Sequence, residues 1–505
     1  MLIEGVIAAT FVAAFVVFLA PDEYAGRLAA LLSLAPLAGS LLLWRGFDGS
    51  GNALTGGEIA YRTFVPWAEL GGLDLQWFVG LDGISLPLVV LTTLLTTLAI
   101  VSAWTPIDDR QSQFYGLMLF MEANLIGVFT ALDFFVWFVF WEAVLVPMYF
   151  LVGVWGGPRR KYAAIKFFVY TNIASLVMFV GFIALVLSTD VGTLAMPEIA
   201  ETLRSSGAGA FFGVAPDTVA ALTFAAMFVG FAVKVPVAPF HTWLPDAHVE
   251  APTPASVMLA GVLLKMGTYA LLRFNFTMLP ETAARFAVPI AALAVISVIY
   301  GAMLALAQRD LKRIVAYSSV SSMGYVILGL VAYTVYGVGG ATFQMVAHGL
   351  ISGLMFMAVG VVYNVTHTRI VDDMSGVADR MPVTSGILVA GAFGYMGLPL
   401  MAGFAAEFFI FVGSFDSTVL PSAALFTAVA MFGIVIVAGY LLFAMQRTLF
   451  GQFRLDSDYE VGPAPLHDTV PLAVLLLAII VLGVNPELFF GMIRDAVTPL
   501  LEVGV

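Results

Sequence analysis

The chain has 505 residues, of which 61% are hydrophobic and only 11% are charged, and its net charge is −12. Soluble proteins carry about 25% charged residues, so this composition excludes an ordinary soluble domain and indicates a membrane protein. The sequence has no cysteine, which excludes disulfides, cysteine-ligated iron–sulfur clusters and a cysteine nucleophile.

Apolar runs recur along the whole chain, and about fourteen of them are long enough to cross a hydrocarbon core of about 30 Å as helices. These predicted spans lie at residues 2–20, 27–44, 83–104, 113–130, 132–151, 164–188, 219–240, 254–275, 285–307, 312–334, 338–363, 383–412, 423–446 and 468–490. The first run carries Glu4 and no basic residue, which favours a retained helix over a signal peptide. The sequence therefore predicts an all-α, polytopic membrane protein.

The lysines and arginines between the spans predict the orientation of the chain. If the N-terminus lies outside, roughly twice as many of these residues fall in cytoplasmic loops as in outer loops, which satisfies the positive-inside rule. We therefore expect an integral protein of a prokaryotic plasma (inner) membrane with both termini outside.

Spans seven and twelve share an interruption. "GFAVKVPVAPFHTW" (230–243) contains Pro236 and Pro239, and "GYMGLPLMAGFAAEFF" (394–409) contains Pro399. Five spans separate the two breaks, and an odd offset places two five-helix units in opposite orientations, as in inverted-repeat transporters. The predicted units are helices 1–3 (1–112), a first repeat of helices 4–8 (113–280), a second repeat of helices 9–13 (281–446) and helix 14 (447–505).

Ionisable residues recur inside the apolar spans. They are Glu142, Lys234, Lys265, His348 and Glu407, with Glu122 as a further candidate. A charge at the bilayer centre costs at least about 2.5–3.5 kcal/mol, so such residues by default indicate a proton or ion path. The structural alternative is an ion pair or hydrogen bond that fixes helix packing, and this alternative stays open, most of all for Glu122 and His348.

Lys234 stands next to the first helix break. Pro236 has no N–H and its ring excludes the hydrogen bond to the carbonyl of residue 232. We expect free carbonyls and a small hydrated pocket around Lys234, with Glu142 as the lysine's partner. A lysine in that setting can accept a proton and release it when its acid partner moves.

The link between spans seven and eight, "HTWLPDAHVEAPTPAS" (241–256), holds His241 and His248 together with two acids. The spacing matches no standard zinc pattern, and its prolines disfavour a helix-based metal site. We therefore predict no metal here and treat both histidines as accessory to the path.

Three stretches resemble the antiporter-like subunits of respiratory complex I, which are shared with Mrp-type antiporters and membrane-bound hydrogenases. They are "FWEAVLVPMYFLVGVWGG" (140–157), "KVPVAPFHTWLPDAHVEAPTPASVMLAGVLLKMGTY" (234–269) and "RDLKRIVAYSSVSSMGY" (309–325). Chain length, together with Glu407 in span twelve, is similar to the M-type (chain 4) subunits. The resemblance implies an input pair Glu142–Lys234, a central relay Lys265, then His348, and an exit site Glu407.

The same resemblance implies a subunit without a redox cofactor in a proton-translocating quinone oxidoreductase. Its expected partners are L-type and N-type neighbours, a quinone-site subunit and lipids, and no nucleic acid. NADH, ferredoxin or a deazaflavin could supply the electrons to such a complex. In one departure, Ser322 stands where many relatives carry histidine, so the path near it is expected to differ.

Three alternatives belong to other classes. A stand-alone Mrp-type module would exchange sodium for protons, and a structural arm subunit would conduct nothing. A quinone-binding redox subunit would need cofactor ligands that the sequence does not offer. The buried ionisable residues at two helix breaks favour proton translocation.

Overall fold

A computed structural model describes residues 1–49, 51–456 and 459–502. Within these residues, twelve helices are long and apolar enough to cross a membrane. The predicted fourth span is the helix Gln111–Thr130, and the predicted twelfth span consists of two shorter apolar helices, Pro382–Tyr395 and Ala402–Phe415. The prediction of a polytopic helical protein is thus confirmed.

The first third of the chain forms six of the predicted spans and a β-hairpin. Its helices are α1 Leu2–Leu19, α2 Asp22–Arg45, α3 Ser85–Ser102, α4 Gln111–Thr130, α5 Phe134–Ala143, α6 Leu145–Trp155 and α7 Arg160–Leu187. Its strands are β1 Ala60–Leu70 and β2 Leu73–Leu81. Helices α5 and α6 form one span that is interrupted at Val144, two residues after Glu142.

The middle of the chain contains the first long break and two π-helical segments. Its helices are α8 Met196–Ser206, α9 Pro216–Lys234, α10 Trp243–Glu250, α11 Thr253–Met258, α12 Leu264–Ala270 and α13 Pro280–Arg285. The π-helical segments are Leu259–Leu263 and Leu271–Thr277. They flank α12, so the eighth span (Thr253–Thr277) is wound more loosely on both sides of Lys265.

The last part of the chain runs from the ninth span to an amphipathic helix. Its helices are α14 Ala287–Leu306, α15 Leu311–Val331, α16 Val335–Thr366, α17 Pro382–Tyr395, α18 Ala402–Phe415, α19 Ala423–Leu449, α20 Leu466–Val484 and α21 Glu487–Glu502. Short 3₁₀ turns lie at Val371–Asp373 and Val377–Asp379, and strands β3 Met374–Ser375 and β4 Arg454–Leu455 pair on the same side.

Burial separates a central layer from lipid-facing helices. The most apolar parts of the eighth span and of α16 are wholly buried, and that of α15 is nearly so. Helices α1, α2, α19 and α20, in contrast, leave most of their residues at least partly exposed. A helix satisfies its own backbone groups and can therefore face lipid with apolar side chains. The ionisable residues of the eighth span and α16 consequently lie in the centre of the molecule.

Local sequence explains where several helices begin. The Asp133 carboxylate accepts hydrogen bonds from the N–H groups of Phe135 (2.9 Å) and Val136 (3.2 Å) and caps α5. Asp310 caps α15 in the same way. Such caps satisfy N–H groups that a helix cannot pair by itself.

The hairpin β1–β2 was not predicted. Its strands pair antiparallel from Ala60–Leu81 to Leu70–Leu73, and Gly71 and Gly72 form the turn with φ of 62° and 84°. Two successive residues with positive φ are typical of a type I′ turn, for which Gly-Gly is suited. The helix breaks in spans seven and twelve, by contrast, lie where they were predicted.

Candidate functional site

The first helix break shapes the backbone around Lys234. Helix α9 ends at Lys234, and helical structure resumes at Trp243. The Ala232 carbonyl accepts a hydrogen bond from Val237 N (3.3 Å), and the Val233 carbonyl accepts one from Trp243 Nε1 (2.9 Å). The expectation that these carbonyls stay free is therefore wrong, because an indole and a displaced amide reach them.

The Lys234 ammonium lies against an aromatic ring. The residue is 2% exposed, and its Nζ has no hydrogen-bond partner among the described residues. Nζ lies 4.8 Å from the ring centroid of Trp141, a distance that allows a cation–π attraction. The ammonium is thus stabilised by the face of the Trp141 ring, and its three N–H groups have no acceptor among the described residues.

Glu142 follows Trp141 in the chain but forms no salt bridge with Lys234. Its Oε2 accepts a hydrogen bond from Asn172 Nδ2 (3.0 Å), and its other carboxylate oxygen is unpartnered within the described part of the chain. The predicted Glu142–Lys234 ion pair is therefore not formed in this structure, although the two residues flank the same tryptophan. Asn172 on α7 was not anticipated as the partner of this carboxylate.

Lys265 and His348 are in direct contact at the centre of the molecule. Lys265 Nζ lies 2.6 Å from His348 Nδ1 and donates a second hydrogen bond to the Ala260 carbonyl at 2.6 Å. Ala260 belongs to a π-helical segment, where the usual pairing of carbonyls is shifted, so this carbonyl is available to the ammonium. The two nitrogens are joined by one hydrogen bond, so the pair can hold and pass a proton as a unit.

Glu407 lies just after the second helix break. It is 4% exposed, and its Oε2 has no hydrogen-bond partner among the described residues. The carboxylate faces Gly397, whose φ is 63°, and a Cβ at that glycine would lie 2.5 Å from Oε2. The break around Pro399 and the missing side chain of Gly397 together make room for this carboxylate.

The accessory candidates are all buried. Glu122 is fully buried, and both of its carboxylate oxygens are unpartnered in the part of the chain that is described. His241 lies 5.6 Å from the ring of Tyr300, and His248 stacks on Phe356 with ring centroids 4.3 Å apart. The structure brings neither histidine into hydrogen-bond contact with the Lys265–His348 pair, so their accessory role stays a prediction.

Sequence reasoning missed an ion-pair cluster at the start of α10. Asp246 accepts hydrogen bonds from Lys166 (2.7 Å) and Arg313 (3.2 Å), so it ties α7, α10 and α15 together. No pattern in the sequence predicts this pairing, because the three residues are far apart along the chain. The cluster fixes α10, the second half of the broken seventh span.

Comparison with known proteins shows relatives over most of the chain. Residues 131–436 match the family model described as "NADH:quinone oxidoreductase/Mrp antiporter, TM". An NAD(P)H-quinone oxidoreductase chain 4 from Nostoc sp. is 42% identical over 436 residues, which cover 85% of this chain and 78% of that protein. The F(420)H(2) dehydrogenase subunit M of Methanosarcina mazei is 39% identical over 463 residues, or 90% of this chain and 88% of that protein.

The fold also matches a solved structure along its full length. A chain of respiratory complex I from Thermus thermophilus with bound NADH superposes with a TM-score of 0.87 and 26% identity. The match covers 100% of this chain and 99% of that chain.

Proposed function

The chain belongs to the NADH:quinone oxidoreductase/Mrp antiporter family, and on this basis we propose that it is a proton-translocating, M-type membrane-arm subunit of a complex I-type oxidoreductase. The observation that carries the proposal is the Lys265–His348 hydrogen bond of 2.6 Å in the wholly buried centre. A buried pair that shares one proton is suited to a relay, and a pair that only stabilised helix packing would need no unpartnered ionisable groups on either side of it.

The proposed path runs along the membrane plane. Lys234 forms the input side, the Lys265–His348 pair is the central relay, and Glu407 is the exit site. Lys234, His348 and Glu407 each retain a side-chain nitrogen or oxygen without a hydrogen-bond partner among the described residues. Lys265 differs, because its hydrogen bonds go to His348 and to a backbone carbonyl. A change in the environment of Glu142 would alter the electrostatic potential at Lys234 and so move a proton toward the centre.

We assign the electron transfer to partner chains and no cofactor to this one, because the sequence offers no thiolate ligand for a cluster. The expected partners are L-type and N-type neighbours, a quinone-site subunit and membrane lipids. The relatives are named for both quinone and F(420)H(2) chemistry, which suits a membrane arm that serves several electron donors. We place the chain in a prokaryotic plasma membrane with both termini outside.

The test is proton pumping by Lys234→Gln in the purified complex, reconstituted in liposomes, with protons moved and quinone reduced recorded together. We expect both rates to fall several-fold, because glutamine keeps the size of the side chain but cannot carry the proton. Lys161→Gln is the matched control, since Lys161 is exposed beside the membrane surface. Equal rates in both variants would contradict the proposal.

The family also contains Mrp antiporters, so a sodium/proton antiporter subunit is the second candidate. Purification of the chain distinguishes the two. Co-purification with iron–sulfur and quinone-site subunits supports the oxidoreductase, whereas a complex without redox subunits that exchanges sodium for protons supports the antiporter.

A further inference from the structure

A group of buried hydroxyl side chains lies on α16, which carries His348, and on helices that pack against α16 or α18, the helix that carries Glu407. This hydroxyl cluster consists of Ser318, Ser319, Ser352, Tyr395 and Tyr440. Its members come from α15, α16, α17 and α19, and each is at most 5% exposed. Four helices near the central relay and the exit site thus each contribute at least one hydroxyl group to the cluster.

The end of the cluster nearer His348 is Tyr395. Its ring lies 5.7 Å from the His348 ring, edge to face at 73°. His348 Nε2 and the Tyr395 hydroxyl both lack a hydrogen-bond partner among the described residues, although the hydroxyl lies beside Ser319 and Ser352. Ser352 is one helical turn from His348 on the same face of α16. The Tyr395 hydroxyl is therefore free to turn between the imidazole and the serines.

The end nearer Glu407 is Tyr440. Its hydroxyl lies 2.7 Å from Ser318 Oγ, and Ser318 donates its own hydrogen to the Ile314 carbonyl at 2.9 Å. Tyr440 is consequently the donor to Ser318 and keeps its lone pairs available. Helix α19, which carries Tyr440, packs against α18, which carries Glu407, and against α17, which carries Tyr395.

We infer that the proton link between His348 and Glu407 runs through the phenol hydroxyls of Tyr395 and Tyr440. This inference rests on the proposed function and names the groups that carry one of its steps. Each phenol oxygen accepts a proton at a lone pair while its own O–H bond breaks toward the next group. For the last step, the Tyr440 O–H turns from Ser318, its acceptor in this structure, toward Glu407. After the transfer both tyrosines are neutral again. His348 has lost one proton, and Glu407 has gained one.

The chain's departure at Ser322 agrees with this arrangement. Ser322 is buried on the same helix as Ser318 and Ser319, one turn further along, and a serine cannot hold a proton charge. A relay at this place must therefore use groups that pass a proton without storing it. Phenol hydroxyls meet that requirement, because they donate and accept at the same atom.

The test uses Tyr395→Phe and Tyr440→Phe in the whole complex, reconstituted in liposomes. We expect proton translocation to fall several-fold in each variant. Tyr333→Phe is the matched control, since Tyr333 is also buried but its hydroxyl donates to the Phe276 carbonyl (2.9 Å) and lies outside the cluster. As a second readout, 3,5-difluorotyrosine at position 440 keeps the size of the ring and makes the phenol more acidic. Pumping should then be retained at neutral pH and fall at a lower alkaline pH than in the wild type.

The results separate the inference from the proposed function. If both Phe variants pump like Tyr333→Phe while Glu407→Gln pumps poorly, the link bypasses the phenols and the inference is overturned. An unchanged alkaline limb with difluorotyrosine at position 440 overturns it as well, because a packing role depends on shape and not on acidity. If Glu407→Gln also pumps normally, the proposed function itself fails.

Discussion

The most deeply buried ion pair of the described residues lies at the C-terminal end of the eighth span, away from the proposed path. Arg273 Nη2 donates to Asp82 Oδ1 at 2.6 Å, and both side chains are almost completely buried. Asp82 also accepts hydrogen bonds from the backbone N–H groups of Ala53, Ile84 and Ser85. Burial alone would raise the pKa of Asp82, but Arg273 and these donors outweigh it and hold that pKa below its usual range.

This pair predicts a large stability effect at a residue without a proposed transport role. Asp82→Asn leaves the Arg273 charge buried without its partner, so we expect a loss of about 3–5 kcal/mol in the free energy of unfolding. Replacing both residues by apolar ones should recover only part of this loss, because no uncompensated charge remains but the backbone N–H groups that donate to Asp82 lose their acceptor. Thermal unfolding of the detergent-solubilised complex measures both.

Asp109→Asn is the control for that comparison, since Asp109 and Arg110 form an exposed pair at 3.9 Å. An exposed pair contributes little, and we expect no measurable change. A similar loss in Asp82→Asn and Asp109→Asn would mean that the buried pair adds nothing specific.

At the residue scale, the sequence was informative about which groups are buried and less so about their partners. The structure buries Lys234, Lys265, His348 and Glu407, as predicted. An ionisable residue in an apolar span faces the protein interior, because exposing it to lipid is costly. The contacts could not be predicted, since they depend on rotamers and on helix positions. The roles of these residues in proton transfer stay predictions.

At the scale of elements, proline predicted both breaks, because it removes a backbone donor wherever it stands. The π-helical segments around Lys265 carry no such signal. Leu259–Leu263 packs against α16 and α3, and Leu271–Thr277 packs against α9, α13 and α15, so both segments lie at contacts between helices that are distant in the sequence. The hairpin β1–β2 was missed for another reason. Its strands alternate poorly between buried and exposed residues, and only Gly71–Gly72 marked the turn.

The eighth span approaches the broken seventh span at Gly267. A Cβ at this position would lie 3.0 Å from Val235 N and 3.2 Å from the carbonyl carbon of Lys234. Both atoms belong to backbone, which cannot rotate away as a side chain does. The absence of a side chain at Gly267 therefore sets how closely the end of α9 comes to the helix that carries Lys265.

Gly267→Ala should separate these two elements. Overpacking of this kind costs about 1–3 kcal/mol, so we expect the complex to assemble and its pumping rate to fall several-fold as Lys234 moves away from Lys265. Gly386→Ala in α17 is the control, because a Cβ there meets no atom within 4 Å. It should pump normally and stabilise its helix by about 1 kcal/mol. Normal pumping by both variants would contradict a requirement for this close approach.

At the scale of the whole molecule, Lys234 and Glu407, each beside one of the two breaks, and the Lys265–His348 pair of the central relay are all buried. The breaks occur in the fourth member of each predicted five-helix unit, and Lys265 and His348 belong to different units, the eighth span and α16. Their hydrogen bond thus joins the predicted first repeat to the second. The boundaries of these repeats stay a prediction, since they rest on the order of the helices and on the matching breaks.

The orientation of the molecule in the membrane is a prediction of the same scale. The Asp246 cluster and the basic start of α7 lie on one side, whereas β1–β2 and α8 lie on the other. Moving one elementary charge across the membrane costs about 2.3 kcal/mol per 100 mV, so the side with more lysines and arginines should face the cytoplasm. This places α8 and both termini outside.

Single cysteines test this orientation without background, because the sequence has none of its own. Glu201 on α8 and Lys161 at the start of α7 are both exposed. We expect a membrane-impermeant maleimide to label Glu201→Cys in intact cells whose outer surface is accessible, and to label Lys161→Cys only after the membrane is permeabilised. The reverse pattern would place both termini in the cytoplasm and contradict the predicted orientation, since successive loops alternate between the two sides of the membrane. Labelling of both cysteines in permeabilised cells verifies that each is reachable, so that a negative result in intact cells reports the side of the membrane and not burial.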